Sequence, residues 1–130
     1  MAADYTYDYA IVRVVPRVER GEQVNVGVIL SCVDAEFLDA RIEIDRDMLL
    51  ALDPSLDLEA IEAGLASIRT VCAGGDGAGP IGLLPPRARF RWLVSPRSTV
   101  IQMSPVHTGR TTDPGGALDR LVGTMVRRRR

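Results

Sequence analysis

The sequence predicts an α+β domain: an antiparallel, mainly five-stranded sheet in the chain order β-β-β-α-α-β-β-α, with helices packed on one face. Three observations predict it. The first third alternates β-branched and aromatic runs with turn residues, and the middle carries apolar residues at helical spacing behind an aspartate cap. The last third opens on short apolar runs and closes on an Asp-Pro helix start. A chain of 130 residues is the size of one domain. It is read as a single unit over 1–130, with a flexible Gly/Pro connector at 74–86 and an arginine-rich tail at 127–130.

Residues 5–15 are rich in Tyr, Ile and Val. Tyr5, Tyr7, Tyr9 and Ile11 share one face and Ala10, Val12 and Val14 the other, which predicts a central strand covered on both sides. Pro16 cannot donate to a ladder and ends it, and Gly21 suits the following turn. In the second strand, 22–32, Val24, Val26, Val28, Leu30 and Cys32 form one apolar row, with Gln23, Asn25, Gly27 and Ser31 opposite. Residues 37–45 alternate cleanly: Leu38, Ala40, Ile42 and Ile44 point in, and Asp39, Arg41, Glu43 and Asp45 point out. One or two helical turns follow at 47–52.

A longer helix is predicted at 57–72, with Asp57 as N-cap, Leu58, Ile61, Leu65 and Ile68 as its apolar stripe, and Gly74 as its stop. Strands four and five are placed at 89–94 and 99–104 around a Pro96 turn. Phe90, Trp92 and Val94 then share one face, against Arg87, Arg89 and Arg91. The final helix, 113–126, has Asp113 as N-cap and Pro114 at its first position, with Leu118, Leu121, Val122 and Met125 inward. With helices 57–72 and 113–126 on one face, the apolar residues on the other face of strand one call for a second copy or a docked protein.

Composition removes several chemistries. All 16 basic residues are arginine, so a phosphate-loop lysine, a Schiff-base lysine and a lysine general base are excluded. A single histidine, His107, excludes a multi-histidine metal centre, and neither a metal site nor a cofactor is expected. No apolar run is long enough to cross a membrane, and the start lacks the basic and apolar regions of a secretory signal. Two well-separated cysteines in apolar stretches point to free thiols in a reducing compartment, which makes the cytoplasm the expected location. The net charge of −1 conceals ten acids in 34–62 against Arg41 and Arg46, and six arginines in 63–112 against Asp76. Either the two regions neutralise each other inside the fold or they form a polar contact surface.

Two stretches carry a family resemblance. YDYAIVRVVPRVERGEQVNVGVIL, and FRWLVSPRSTVIQMSP followed by the Asp113-Pro114 helix start, resemble the DUF3037 family of small bacterial proteins of unknown function. The similarity runs from about residue 7 to residue 126. It implies a small α+β domain and supplies no catalytic residue. Members are often encoded beside a HipA-like serine/threonine kinase, so the resemblance also implies such a kinase as a partner.

The chemistry-bearing residues themselves favour plain roles. His107 lies in a polar stretch with Ser98, Ser104 and Thr108 near it in sequence, but without a nucleophile-orienting motif. Asp39, Glu43 and Asp45 fit the wet face of a half-buried strand better than a metal site. On a strand, Arg87, Arg89 and Arg91 lie opposite Phe90 and Trp92, which is wrong for a nucleic-acid stacking platform.

Two residues resist such readings. Arg13 is a cation among Ala10–Val15 and needs a partner, for which Glu22 is the candidate. Gly27 inside a strand calls for close approach by another backbone or a ligand. Either these are a structural salt bridge and a bulge, or Arg13, Asn25, Arg91 and Arg97 build a polar groove. The candidate binding residues are Arg13, Glu22, Asn25, Arg91, Trp92, Arg97 and Ser98, with no catalytic residue and no metal ligand. The expected function is a non-enzymatic protein-interaction or accessory module, acting on a protein partner and able to form a homodimer. The alternatives are a nucleic-acid binder or a small enzyme with a groove around Arg13 and Asn25.

Overall fold

A computed structural model of the chain describes residues 4–97 and 99–128. Its sheet is antiparallel and five-stranded: β1 (Tyr5–Val14), β2 (Val24–Cys32), β3 (Phe37–Ile42), β4 (Ile101–Met103) and β5 (His107–Thr111). The order is β3-β2-β1, with β4 and β5 both on the far side of β1. β5 pairs with Tyr5–Tyr9 and β4 with Val12–Val14, so they are two halves of one return strand. Pro105, which has no N–H to give, interrupts it. Ser104 closes the gap: its Oγ accepts the Ile11 N–H at 2.8 Å, and its own N–H donates to Ile11 O at 2.9 Å.

The helices do not share one face. α1 (Arg46–Leu52), α2 (Leu58–Ala73) and α3 (Pro86–Val94) pack on Val12, Val14, Val24, Val26, Ile29 and Ala40. α4 (Pro114–Met125) lies on the other side, setting Ala117, Leu118 and Val122 against Val28, Leu30 and Cys32. The apolar second face, for which a second copy or a docked protein was expected, is thus covered by the chain itself. Tyr5, Tyr7 and Tyr9 complete that layer. β1 is central and covered on both sides, as its sequence predicts.

Segment 89–94 also departs from its predicted conformation. It is the body of α3, entered through Pro86 in the first turn, where a missing N–H costs nothing. Arg89, Phe90 and Leu93 are buried, while Trp92 faces out. The strand predicted at 89–94 is therefore a helix. The fifth strand of the sheet is β5, made of residues expected in a loop. The connector 74–86 also has structure: Asp76–Leu83 winds into 3₁₀ turns broken at Gly79, and Gly75 N–H donates to Gly82 O at 2.9 Å.

Asp57 caps α2 as predicted, and Asp45, expected at the end of the third strand, caps α1 instead. Asp45 Oδ1 accepts the Met48 N–H and Asp57 Oδ1 the Ala60 N–H, each at 3.1 Å. Asp113 holds the N-cap position of α4, but its side chain makes no cap bond. Cys32 and Cys72 are both buried free thiols, and burial pushes the Cys72 thiol up to about 12, which leaves it unreactive at neutral pH.

The apolar row of β2 is cut by a bulge. Val12 opposes Gly27 while Arg13 opposes Asn25, so Val26 is an extra residue. Val24 and Val26 therefore face the α2 side, whereas Val28, Leu30 and Cys32 face α4. Gly27 is required by its neighbour strand: a Cβ there would sit 2.6 Å from Arg41 O and 2.6 Å from Ile42 Cδ1. The close backbone approach predicted at Gly27 is thus β3. We expect Gly27→Ala to cost about 1–3 kcal/mol through overpacking, read as a lower urea midpoint.

Candidate functional site

The bulge places the site. Before it, Arg13 and Asn25 stand opposite each other on the α4 side of the sheet. Arg13 Nε donates to Asn25 Oδ1 across a long 3.4 Å. Asn25 Nδ2 in turn donates to Met125 O at 3.0 Å, taking one of the carbonyls left over at the end of α4. The amide therefore orients a half-buried guanidinium and covers part of the negative end of the helix.

The chain then turns Arg127 across to β3's end. Arg127 Nε and Nη2 donate to Glu43 Oε1 and Oε2 at 2.9 and 2.7 Å, a two-pronged pair. That hydrogen bonding, helped by the guanidinium charge, holds the Glu43 carboxyl below its ordinary range. Between these elements lies a groove of about 580 Å³ lined by Arg13, Gln23, Asn25, Met125, Arg127 and Arg128. It continues past Asn25 and Arg127 into a second hollow of about 310 Å³ that reaches Glu43 and Asp45.

The other predicted residues go elsewhere. Glu22 pairs with Arg20, not Arg13. Arg91 is exposed on α3. Arg97 lies over the Trp92 ring at 4.7 Å and donates to Leu93 O and Trp92 O, both at 3.0 Å, closing the end of α3. Arg91, Trp92 and Arg97 are therefore on the α3 side of the sheet, away from Arg13 and Asn25, and the single expected groove is two separate places. Ser98 lies outside the described residues. Sequence reasoning placed neither Arg127 and Arg128 nor Glu43 in the site. The signal for Arg127 and Arg128 was the arginine run at the chain end, and that for Glu43 was only its place in the alternation of residues 37–45.

The remaining polar groups have local duties. Ser104 Oγ donates to Pro105 O at 2.8 Å, and Thr108 Oγ1 to Asp8 Oδ1 at 2.8 Å. The His107 ring lies 5.4 Å from that of Tyr9. Asp39 and Asp119 both engage Arg41. Of the two expectations for the charge asymmetry, mutual neutralisation is not seen among the described residues. Among the described residues, Arg87 and Arg110 pair with Asp8 and Asp4, and the 34–62 acids pair with Arg17, Arg41, Arg46 and Arg127. The acidic and basic segments do not neutralise each other.

A family model described as "Protein of unknown function (DUF3037)" matches residues 9–126. The chain belongs to the DUF3037 family. No curated protein and no solved structure matches it. In this DUF3037 protein the matched span holds β2, β3 and α4, with Arg13, Asn25 and Glu43, while Arg127 and Arg128 follow it directly. No helix among the described residues is long and apolar enough to cross a membrane.

Proposed function

We propose that this DUF3037 protein is a non-enzymatic interaction module whose recognition surface is the groove between the start of β2 and the end of α4. One observation carries the reading. Arg13 is a half-buried cation on the central strand, and an amide rather than a carboxylate is its hydrogen-bond partner. Buried Arg89 fills its donors with three carbonyls of the fold, whereas Arg13, among the described residues, makes one long side-chain bond and leaves its other donors to the groove. Charged groups at an interface set partner choice and encounter rate more than raw affinity.

The partner is a protein, and the family resemblance points to a HipA-like serine/threonine kinase. The test is affinity capture of the purified kinase encoded beside the gene, together with a mass measurement of the free protein. A stable complex that Arg13→Ala and Asn25→Ala abolish without lowering the melting temperature supports the reading. A monomer that captures nothing overturns it. If capture survives while the melting temperature falls, Arg13 and Asn25 serve the fold alone. A homodimer in the mass measurement makes a second copy the partner.

A further inference from the structure

We infer that the groove recognises an acidic peptide segment, whose carboxylates engage Arg13 and Arg128 and displace Glu43 from Arg127. This rests on the interaction reading and adds the chemistry of the ligand. Three guanidinium groups, Arg13, Arg127 and Arg128, line the groove and its extension, against the carboxylates of Glu43 and Asp45. Both carboxylates are committed: Asp45 to the Met48 N–H and Glu43 to Arg127. Among the described residues, neither Arg13 nor Arg128 has a carboxylate in ion-pair contact.

Arg13 presents five N–H donors in a planar fork, and its one side-chain bond, at 3.4 Å, occupies only Nε. Its outer edge matches a carboxylate bidentately. The Glu43–Arg127 pair is a two-pronged carboxylate contact made within the chain, there through Nε and Nη2. Glu43 and Arg127 side chains are 42% and 60% exposed, so their pair is weak enough to exchange for an incoming anion. The helix end opposes anions, but Asn25 covers Met125 O and the Val126 and Arg127 N–H groups both return to Val122 O. Glu43 is thus an internal competitor for the ligand.

The probe is a fluorescein-labelled hexaglutamate peptide, with hexaglutamine as control, titrated at low salt. The wild-type protein binds hexaglutamate and not hexaglutamine. Arg13→Gln weakens binding at least roughly tenfold, and Arg13→Lys, which keeps the charge and loses the fork, falls between. Glu43→Gln tightens binding roughly twofold to fivefold by releasing Arg127. Because Glu43→Gln leaves Arg13 untouched, it reads the proposal even if Arg13 variants melt early. Equal binding by Arg13→Gln and wild type means that the terminal arginines attract any polyanion and overturns the inference. So does weaker or unchanged binding by Glu43→Gln, or preference for a single-stranded oligonucleotide over the peptide. If the wild type and Arg13→Gln capture a protein partner equally, the interaction module stands and this assignment of its ligand falls.

Discussion

Replacing Arg89 by Met is expected to destabilise the protein by about 2–4 kcal/mol, seen as a lower urea midpoint at unchanged slope. Arg89 is 8% exposed and has no acidic partner among its hydrogen bonds. Its Nη1 donates to Val71 O and Cys72 O at 2.7 and 2.6 Å, and its Nε to Leu84 O at 3.0 Å. The guanidinium therefore satisfies carbonyls at the end of α2 and just before α3, in the place where a helix usually finds its own cap. Methionine keeps the length of the stem and supplies none of the donors. The site is closely fitted: a Cβ on Gly74, which has φ +76°, would lie 2.9 Å from Arg89 Cζ. An unchanged midpoint would mean that water reaches those carbonyls and that the arginine contributes little.

Truncating Phe90 to alanine should cost about 3–5 kcal/mol. Phe90 is the largest of the fully buried side chains and is part of the core beneath α1, α2 and α3. Trp92 provides the contrast. It is 41% exposed and stacked by Arg97, so Trp92→Ala should cost no more than about 1 kcal/mol. A strand over these residues puts Phe90 and Trp92 on one face and predicts similar losses. Only a helix separates them, so the pair of measurements decides between the two conformations of residues 89–94.

That segment shows why parts of the fold were not legible in the sequence. Arg-Phe-Arg-Trp alternates by chance at period two, and its aromatic residues have high strand propensity, so the pattern imitates a strand. The contrary signal was present: Pro86 at a helix start, followed by Arg89, Phe90 and Leu93 at helical spacing. β5 was missed for the opposite reason. His107–Thr111 is mostly exposed and polar, and its pairing comes from backbone contact with β1 rather than from an apolar face. The bulge in β2 was hidden because apolar residues stand on both sides of it, so a row of valines reads the same whether or not it changes face. β1, β3 and the first two helices were legible because alternation and caps act locally, with the burial pattern following from them.

The site divides along the same line. Arg13 and Asn25 could be found because each is a polar exception within a strand, and Gly27 because it lacks a side chain there. Their partners could not be read. Met125 lies 100 residues from Asn25, and Glu43 lies 84 from Arg127, so only the docking of α4 on the second face joins them. Grouping Arg91 and Arg97 with Arg13 failed because residues 89–94, read as a strand of the sheet, form α3 on the side of the sheet away from Arg13.

The central claim is that Glu43 occupies, from within the chain, a place in the groove that belongs to a ligand's carboxylate. Titration of the labelled hexaglutamate peptide into the Glu43→Gln protein tests it most directly. The account predicts tighter binding than wild type, by roughly twofold to fivefold. Binding equal to or weaker than wild type would contradict it.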